Sequence, residues 1–380
     1  MRDKFKTIEV SFDELDNIII DDDETKFLIV SKDNVKFEFL LRKKHTSKKL
    51  IIFGSGAYDN KKISLPVFQR YTWKDEFEEN LIFFNDPTLY LGDITLAWGY
   101  GTKDHYYLET IANILKKIIK VMNIRNENIG IYGSSGGGFM AIILATFIRG
   151  SKAIVNNPQT NIGKYYEGLT KKMFSLIYPD MELQKALECY PERVNIIELF
   201  KRENYVPNIT YLQNIACKFD MDNQFLPMIQ GLRMINESYF YSKIDIRLYS
   251  NKAENHSPLS KAKTILLIKE VLGINTRYKN ILEIKSNNWR EFSKRNGYSL
   301  FRYEVKVDRN IIGKEFIIKV NDKEIKKMGV KNIDSEGYGD IYINEHLYIS
   351  VAHKDISEDG NINEENIIKY FSSKTITIYY

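Results

Sequence analysis

A serine, a histidine and a carboxylate can together carry out acyl chemistry, and this chain offers candidates for each at arguable positions. Ile129-Gly130-Ile131-Tyr132-Gly133-Ser134-Ser135-Gly136-Gly137-Gly138 reads as a short buried strand, a tight turn and the start of a helix. Glycines two residues either side of Ser135 let strand and helix approach closely while the turn lifts the serine Oγ clear of the strand end. The N–H of Gly136 is then placed to meet a developing oxyanion, and the helix N-terminus favours negative charge. A phosphate-binding loop would want Lys after its last glycine, and this chain has Phe139. Ser134 lacks the flanking symmetry of Ser135.

The base must come from His45, His105, His256, His346 or His353. His256 follows the last core strand, Asp245–Tyr249, on the loop Asn251–Pro258 just before a helix, which puts it at the same sheet edge as Ser135. His45 precedes the core strands, and His346 and His353 fall in a C-terminal region of different pattern. His105 sits where it can cap the helix after it. The acid belongs after the strand Ile209–Gln213, where it would orient the imidazole and stabilise its charged form. The usual place for that Asp is occupied by Cys217, so Asp220 or Asp222 is expected to replace it, with Glu254 a more remote candidate. Asp245 starts its strand and so lies at the wrong end of the sheet. A second oxyanion donor is expected from Gly54-Ser55-Gly56-Ala57, at the amide of Ala57 or of Ser55.

The elements that position these residues alternate. Lys26–Ser31 and Val35–Arg42 resemble a hairpin, and Lys49–Phe53 and Asn80–Phe84 are short apolar strands. Leu108, Ile111, Leu115, Ile118 and Met122 form one stripe of a helix over Tyr106–Ile124. Asn128–Tyr132, Lys152–Val155, Ile209–Gln213 and Asp245–Tyr249 follow as strands, with helices over Phe139–Ile148 and Ser260–Leu272. This pattern predicts an α/β fold with a doubly wound, mostly parallel sheet. Residues 164–206 interrupt it and read as a helical lid. Tyr165, Tyr166, Phe174, Tyr178 and Tyr190 give the lid rings suited to binding a sugar or acyl chain, or to packing it on the core. Past Gly273 the period shifts toward two, at Leu300–Val307, Glu315–Val320, Asp340–Val351 and Thr375–Tyr380. The expected domains are therefore 1–275, with N-terminal strands over 1–48, and a β-rich appendage over 276–380.

Gly133–Phe139, Asn157-Pro158-Gln159-Thr160, Asn85-Asp86-Pro87-Thr88-Leu89-Tyr90 and Trp98-Gly99-Tyr100-Gly101-Thr102 together resemble bacterial α/β-hydrolase proteins of surface-polysaccharide machinery. The chain is similar in outline to the carbohydrate O-acetyltransferases of capsule synthesis and of the accessory secretion system that exports glycosylated adhesins. The resemblance covers about residues 48–275; the tail lies outside it, and the acid position departs from its pattern. It implies a Ser135 acyl-enzyme that passes an acetyl group to a sugar hydroxyl. No bound cofactor is implied, and an acyl donor such as acetyl-CoA would be a co-substrate. Polysaccharide-synthesis or secretion proteins are the implied partners. The same residues would make an esterase or deacetylase where water is the acceptor. A scaffold that keeps the fold with a degraded triad is the reading from another class.

Composition sets the outer bounds. Basic and acidic side chains number 55 and 50, a net charge of +5, which leaves no electrostatic footprint for nucleic acid. Cys189 and Cys217 are the two cysteines, in unrelated contexts with no second pair to build a metal site. With no apolar stretch behind the first charged residues and no run long enough to span a bilayer, a cytoplasmic protein without a transmembrane segment is expected.

Overall fold

The computed structural model describes residues 4–21, 23–240 and 243–276, and beyond these only the strands given below. The chain divides into two compact units, one of Met1–Lys261 with Leu267–Ile274, the other of Asn275–Tyr380 with Ala262–Leu266.

The first unit is built on nine strands: β1 (Lys6–Ser11), β2 (Thr25–Lys32), β3 (Val35–Arg42), β4 (Leu50–Phe53), β5 (Asn80–Phe84), β6 (Ile129–Ser135), β7 (Lys152–Pro158), β8 (Asn208–Asn214) and β9 (Ile244–Tyr249). Their order across the sheet is β1-β2-β3-β5-β4-β6-β7-β8-β9. From β5 to β9 every pairing is parallel, whereas β3 runs antiparallel to both of its neighbours. Asp33 and Asn34, both at positive φ, make the two-residue turn of the β2–β3 hairpin. Left-handed conformations at both central positions match the right-handed twist of the flanking strands.

The helices are α1 (Tyr107–Val121), α2 (Gly136–Phe147), α3 (Glu167–Ile177), α4 (Leu183–Cys189), α5 (Pro191–Val194), α6 (Ile196–Glu203), α7 (Lys218–Asp220), α8 (Leu226–Leu232) and α9 (Lys261–Val271). A π-helical turn, Met221–Phe225, makes α7 and α8 continuous. α2 is apolar all round and every residue in it is buried, as a helix packed beneath a sheet must be. α1 buries only the predicted stripe and the residues beside it. The sheet interior is equally apolar: Ile51, Ile52, Ile131, Ile154 and Val155 have no exposed surface.

The segment expected as a lid has two parts. α3 and α4 do leave the strand–helix alternation. α6 packs on α2, with Ile196, Leu199 and Phe200 fully buried, and is the crossover helix that leads into β8. Its apolar positions are too few to advertise that role in sequence.

The second unit contains β10 (Ile281–Lys285), β11 (Arg290–Arg295), β12 (Tyr298–Lys306), β13 (Phe316–Val320), β14 (Lys323–Met328), β15 (Gly339–Tyr342), β16 (His346–Lys354) and β17 (Thr375–Tyr379). They form two four-stranded sheets, ordered β10-β17-β13-β14 and β11-β12-β16-β15, antiparallel throughout. Val307, Glu315, residues 343–345 and Tyr380, expected in strands, lie outside the described residues. Among the described residues no helix is long and apolar enough to cross a membrane.

Candidate active site

The strand order reverses direction at β4. One of its neighbours, β5, follows it in sequence, while the other, β6, lies far beyond. In open α/β sheets the crevice outside the carboxyl ends of such strands is where ligands bind. Here the loop Gly54–Ala57 leaves β4 and Ser135 ends β6, side by side.

Ser135 has φ 54 and ψ −128, a conformation that costs a non-glycine residue on the order of 1–3 kcal/mol and that the surroundings must enforce. They do so by close approach. A Cβ on Gly133 would run into the Gly137 carbonyl, and one on Gly137 would lie 2.9 Å from the Gly54 carbonyl oxygen. Strand, turn and helix can converge only with glycine at both places. This is an α/β-hydrolase-type fold.

Ser135 Oγ lies 2.9 Å from His256 Nε2, and His256 Nδ1 lies 2.7 Å from Asp220 Oδ2. Asp220 is almost wholly buried, while the imidazole keeps about a third of its surface exposed. Cys217 caps α7, so Asp220 stands in the first helical turn, where its side chain can reach the ring. Asp222, the other expected acid, is not at the site: it faces solvent and pairs with Lys218. Asp245 pairs with Arg247 at the start of β9, the far end of the sheet. Among the described residues only the Asp220 carboxylate bonds to the His256 ring. His105 is exposed, and the N-cap position of α1 is Tyr106 rather than His105. His346 and His353 lie on β16, in the other unit.

Of the expected oxyanion donors, Gly136 opens α2 and so has no helical acceptor for its N–H. In the β4 loop the Gly56 amide is taken by Gln69 Oε1 at 2.9 Å. The Ala57 amide has no acceptor among the described residues, while its carbonyl accepts from Gln69 Nε2 at 2.8 Å. The Ser55 side chain donates to the Val67 carbonyl and accepts from the Gln69 amide. Gln69 thus fixes the loop beside the elbow.

Several residues to which the sequence assigned no role at the site hold this geometry, some of them within the segments that carry the resemblance. Gln159, fully buried, donates from Nε2 to Ser135 Oγ at 2.9 Å, and its Oε1 accepts from the Trp98 indole. Asp86 in turn holds the Trp98 loop, accepting from Gly99 N at 2.6 Å and Thr88 N at 2.9 Å. Burial pushes the Asp86 carboxyl up from its ordinary range. The histidine loop is clamped by asparagines at the ends of β7 and β8. Asn157 Nδ2 donates to the carbonyls of His256 and Ser257. Asn156 Oδ1 accepts from Leu259 N at 2.6 Å, and Asn214 Nδ2 donates to the carbonyls of Asn251 and Asn255. The signal available in the sequence was polar residues at the carboxyl ends of buried strands, where a core residue would otherwise be apolar.

Of the two lid tyrosines, Tyr165 hydrogen-bonds with Ser135, and Tyr166 packs on Tyr165. Tyr165 meets Trp98 edge to face at 6.0 Å, and Tyr166 stacks on Phe219 at 4.2 Å. Burial raises the Tyr165 phenol, against an opposing pull from its hydrogen bonding to Ser135. Phe174 and Tyr178 instead pack inward around Tyr100, and Tyr190 stacks under Arg193. Cys217 Sγ comes within 4.8 Å of ligand atoms of Asp220 and His256, a grouping that the spacing of the two cysteines did not suggest. Burial pushes its thiol up.

No family model matches the chain, and no curated protein does. Solved structures that overlap it include the capsule O-acetyltransferase of Neisseria meningitidis serogroup A. It is 17% identical over 64% of this chain and 96% of that one, with a TM-score of 0.48. A mutant of that enzyme in complex with CoA gives 18%, 63%, 95% and 0.47 in the same order. A 2,6-dihydroxy-pseudo-oxynicotine hydrolase is 12% identical over 66% of this chain and 68% of its own, with a TM-score of 0.46. The fold assignment rests on the strand order and the elbow rather than on these overlaps.

Proposed function

We propose that this protein transfers an acyl group through an ester of Ser135. The observation that carries the reading is the continuous hydrogen-bonded line from Ser135 Oγ through His256 to buried Asp220. In this reading His256 Nε2 takes the serine proton as Oγ attacks the acyl carbonyl. Asp220 holds the tautomer that leaves Nε2 bare and stabilises the imidazolium that forms. The amides of Gly136 and Ala57 receive the oxyanion. Collapse of the tetrahedral species releases the donor's leaving group with the proton from His256. An acceptor hydroxyl then attacks the ester, loses its proton to His256 and frees Ser135.

The acceptor we favour is a sugar hydroxyl and the acyl group an acetyl, delivered by a thioester such as acetyl-CoA. Exposed Tyr166, stacked on half-buried Phe219 next to Asp220 in the chain, supports a carbohydrate, whose apolar ring faces pack on aromatic rings. Residues 276–380 are read as an accessory module, and polysaccharide-synthesis or secretion proteins as its partners. Labelling with a fluorophosphonate tests the first step. The wild-type protein is expected to label once, and Ser135→Ala not at all, with turnover lowered on the order of a millionfold. Labelling that survives in Ser135→Ala would end the reading.

A further inference from the structure

Arg70 carries a charge at Ser134, the residue before Ser135, that no carboxylate among the described residues matches. It has φ 66, a left-handed conformation rare for a long side chain. Its guanidinium lies over the rings of Tyr132 and Trp73, 5.1 and 5.5 Å from their centroids. One Nη2 hydrogen goes to Ser134 Oγ at 2.7 Å, and Ser134 immediately precedes the nucleophile. Nη1 makes only a long contact, 3.4 Å, with Gln69 Oε1. Among the described residues no carboxylate and no carbonyl takes the rest.

Other arginines of this unit are treated differently. Arg42 donates to the carbonyls of Lys74, Phe77 and Glu79. Arg193 donates to those of Thr102 and Lys103, and Arg247 pairs with Asp245 and Glu270. A guanidinium has five donors and stays charged at any working pH. At Arg70 one donor is well used, the plane is fixed by two rings, and the remaining donors are left at Ser134, the residue before Ser135.

We propose that Arg70 binds an anionic oxygen group, a carboxylate or phosphate, carried on the acyl acceptor a few bonds from the hydroxyl that is acylated. The proposal rests on Ser135 as nucleophile. A thioester donor with a long pantetheine arm holds its phosphates many bonds from the carbonyl, too far for a group that touches Ser134. An acid only a few bonds from the acceptor hydroxyl suits a guanidinium held on the residue before Ser135. Chemically, the acceptor oxygen forms the new bond to the acyl carbon, the bond to Ser135 Oγ breaks, and the hydroxyl proton passes through His256 Nε2 to Oγ. The anion is unchanged and serves to orient the hydroxyl. Arg rather than Lys suits this, because its planar fork meets two oxygens at once.

The test charges Ser135 with p-nitrophenyl acetate and follows acetyl transfer to glucuronate, N-acetylglucosamine 1-phosphate and glucose. In the wild type the two anionic acceptors are expected to be used at least tenfold more efficiently than glucose. Arg70→Met should reduce that ratio by tenfold or more, and Arg70→Lys should restore part of it. An unchanged ratio in a folded Arg70→Met protein overturns the proposal. So does an Arg70 dependence seen between acetyl-CoA and acetyl-pantetheine but not between acceptors, since it would put the anion on the donor. A second readout needs no turnover: phosphate or glucuronate should change tryptophan fluorescence saturably in the wild type, but not in Arg70→Met or Trp73→Phe. A wild type that fails to burst or label while still showing this saturation refutes Ser135 as nucleophile and leaves the anion site standing. No saturation with either anion removes the site itself.

Discussion

Gln159 offers a sharp test of how Ser135, the proposed nucleophile, is held. The indole nitrogen of Trp98 can only donate, so the Gln159 carbonyl must face it and the amide nitrogen must face Ser135. Ser135 Oγ therefore accepts from Gln159 at 2.9 Å while its own hydrogen is aimed at His256. In the proposed attack His256 draws the proton away, charge gathers on Oγ and the Gln159 bond strengthens. A donor aimed at full oxyanion charge is worth about 2.7–4 kcal/mol. The charge on Oγ is partial, so a loss of roughly tenfold to a hundredfold, ~1.4–2.7 kcal/mol, is expected for Gln159→Ala in kcat/KM. The same change leaves the buried Trp98 N–H without an acceptor, at about 1–3 kcal/mol of stability. A melting temperature lowered by several degrees should accompany it. Gln159→Glu separates the two effects. It keeps an acceptor for Trp98, so it should melt higher than the alanine variant. It also turns a carboxylate oxygen toward Ser135, which then competes with His256 for the serine hydrogen. Its activity should fall below that of Gln159→Ala near neutral pH and recover relative to wild type as falling pH protonates the new carboxyl. Hydrolysis of p-nitrophenyl acetate from pH 5 to 9 and thermal melts measure both. Wild-type kcat/KM in Gln159→Ala, or a glutamate variant more active than the alanine one at every pH, would refute the reasoning.

Asp220→Asn should lower turnover by roughly three to four decades because His256 loses its charged partner. Asp222→Asn removes only an exposed ion pair with Lys218 and should stay within a few-fold of wild type in the same assay. Tyr166→Ala should alter the preference among sugar acceptors more than the rate of fluorophosphonate labelling, and equal loss of both would make the ring structural. Burial raises the Cys217 thiol, so less of it is thiolate at a given pH than for an ordinary cysteine. Iodoacetamide at pH 8 should accordingly modify exposed Cys189 first, as read by peptide mass mapping, and Cys217 should gain reactivity only at higher pH.

What could be read from the sequence was local. The elbow is contiguous, and its glycines announce a close approach wherever the rest of the chain goes. The strands of the first unit alternate with helices whose apolar periods survive in the bare sequence, so the sheet class and the loop carrying His256 could be placed. Cys217 in the usual acid position left two aspartates open. Helical phase separated them: two residues apart, where α7 passes into the π-helical turn, Asp220 and Asp222 face in different directions, and only the first reaches the ring. That phase depends on where α7 starts, which β8 and its neighbours set.

The remaining decisions belonged to the tertiary structure. Gln159, Asp220 and His256 reach their partners across sequence separations of 24, 36 and 121 residues. The partners of a glutamine, three asparagines or a left-handed arginine stay undefined until the strand ends that surround them are known. α6 looked like part of a lid because its short apolar stripe says only that it packs, not on what. Periodicity fixes which face of an element turns inward; which polar groups then share a buried site follows from strand order, and strand order is a property of the whole sheet.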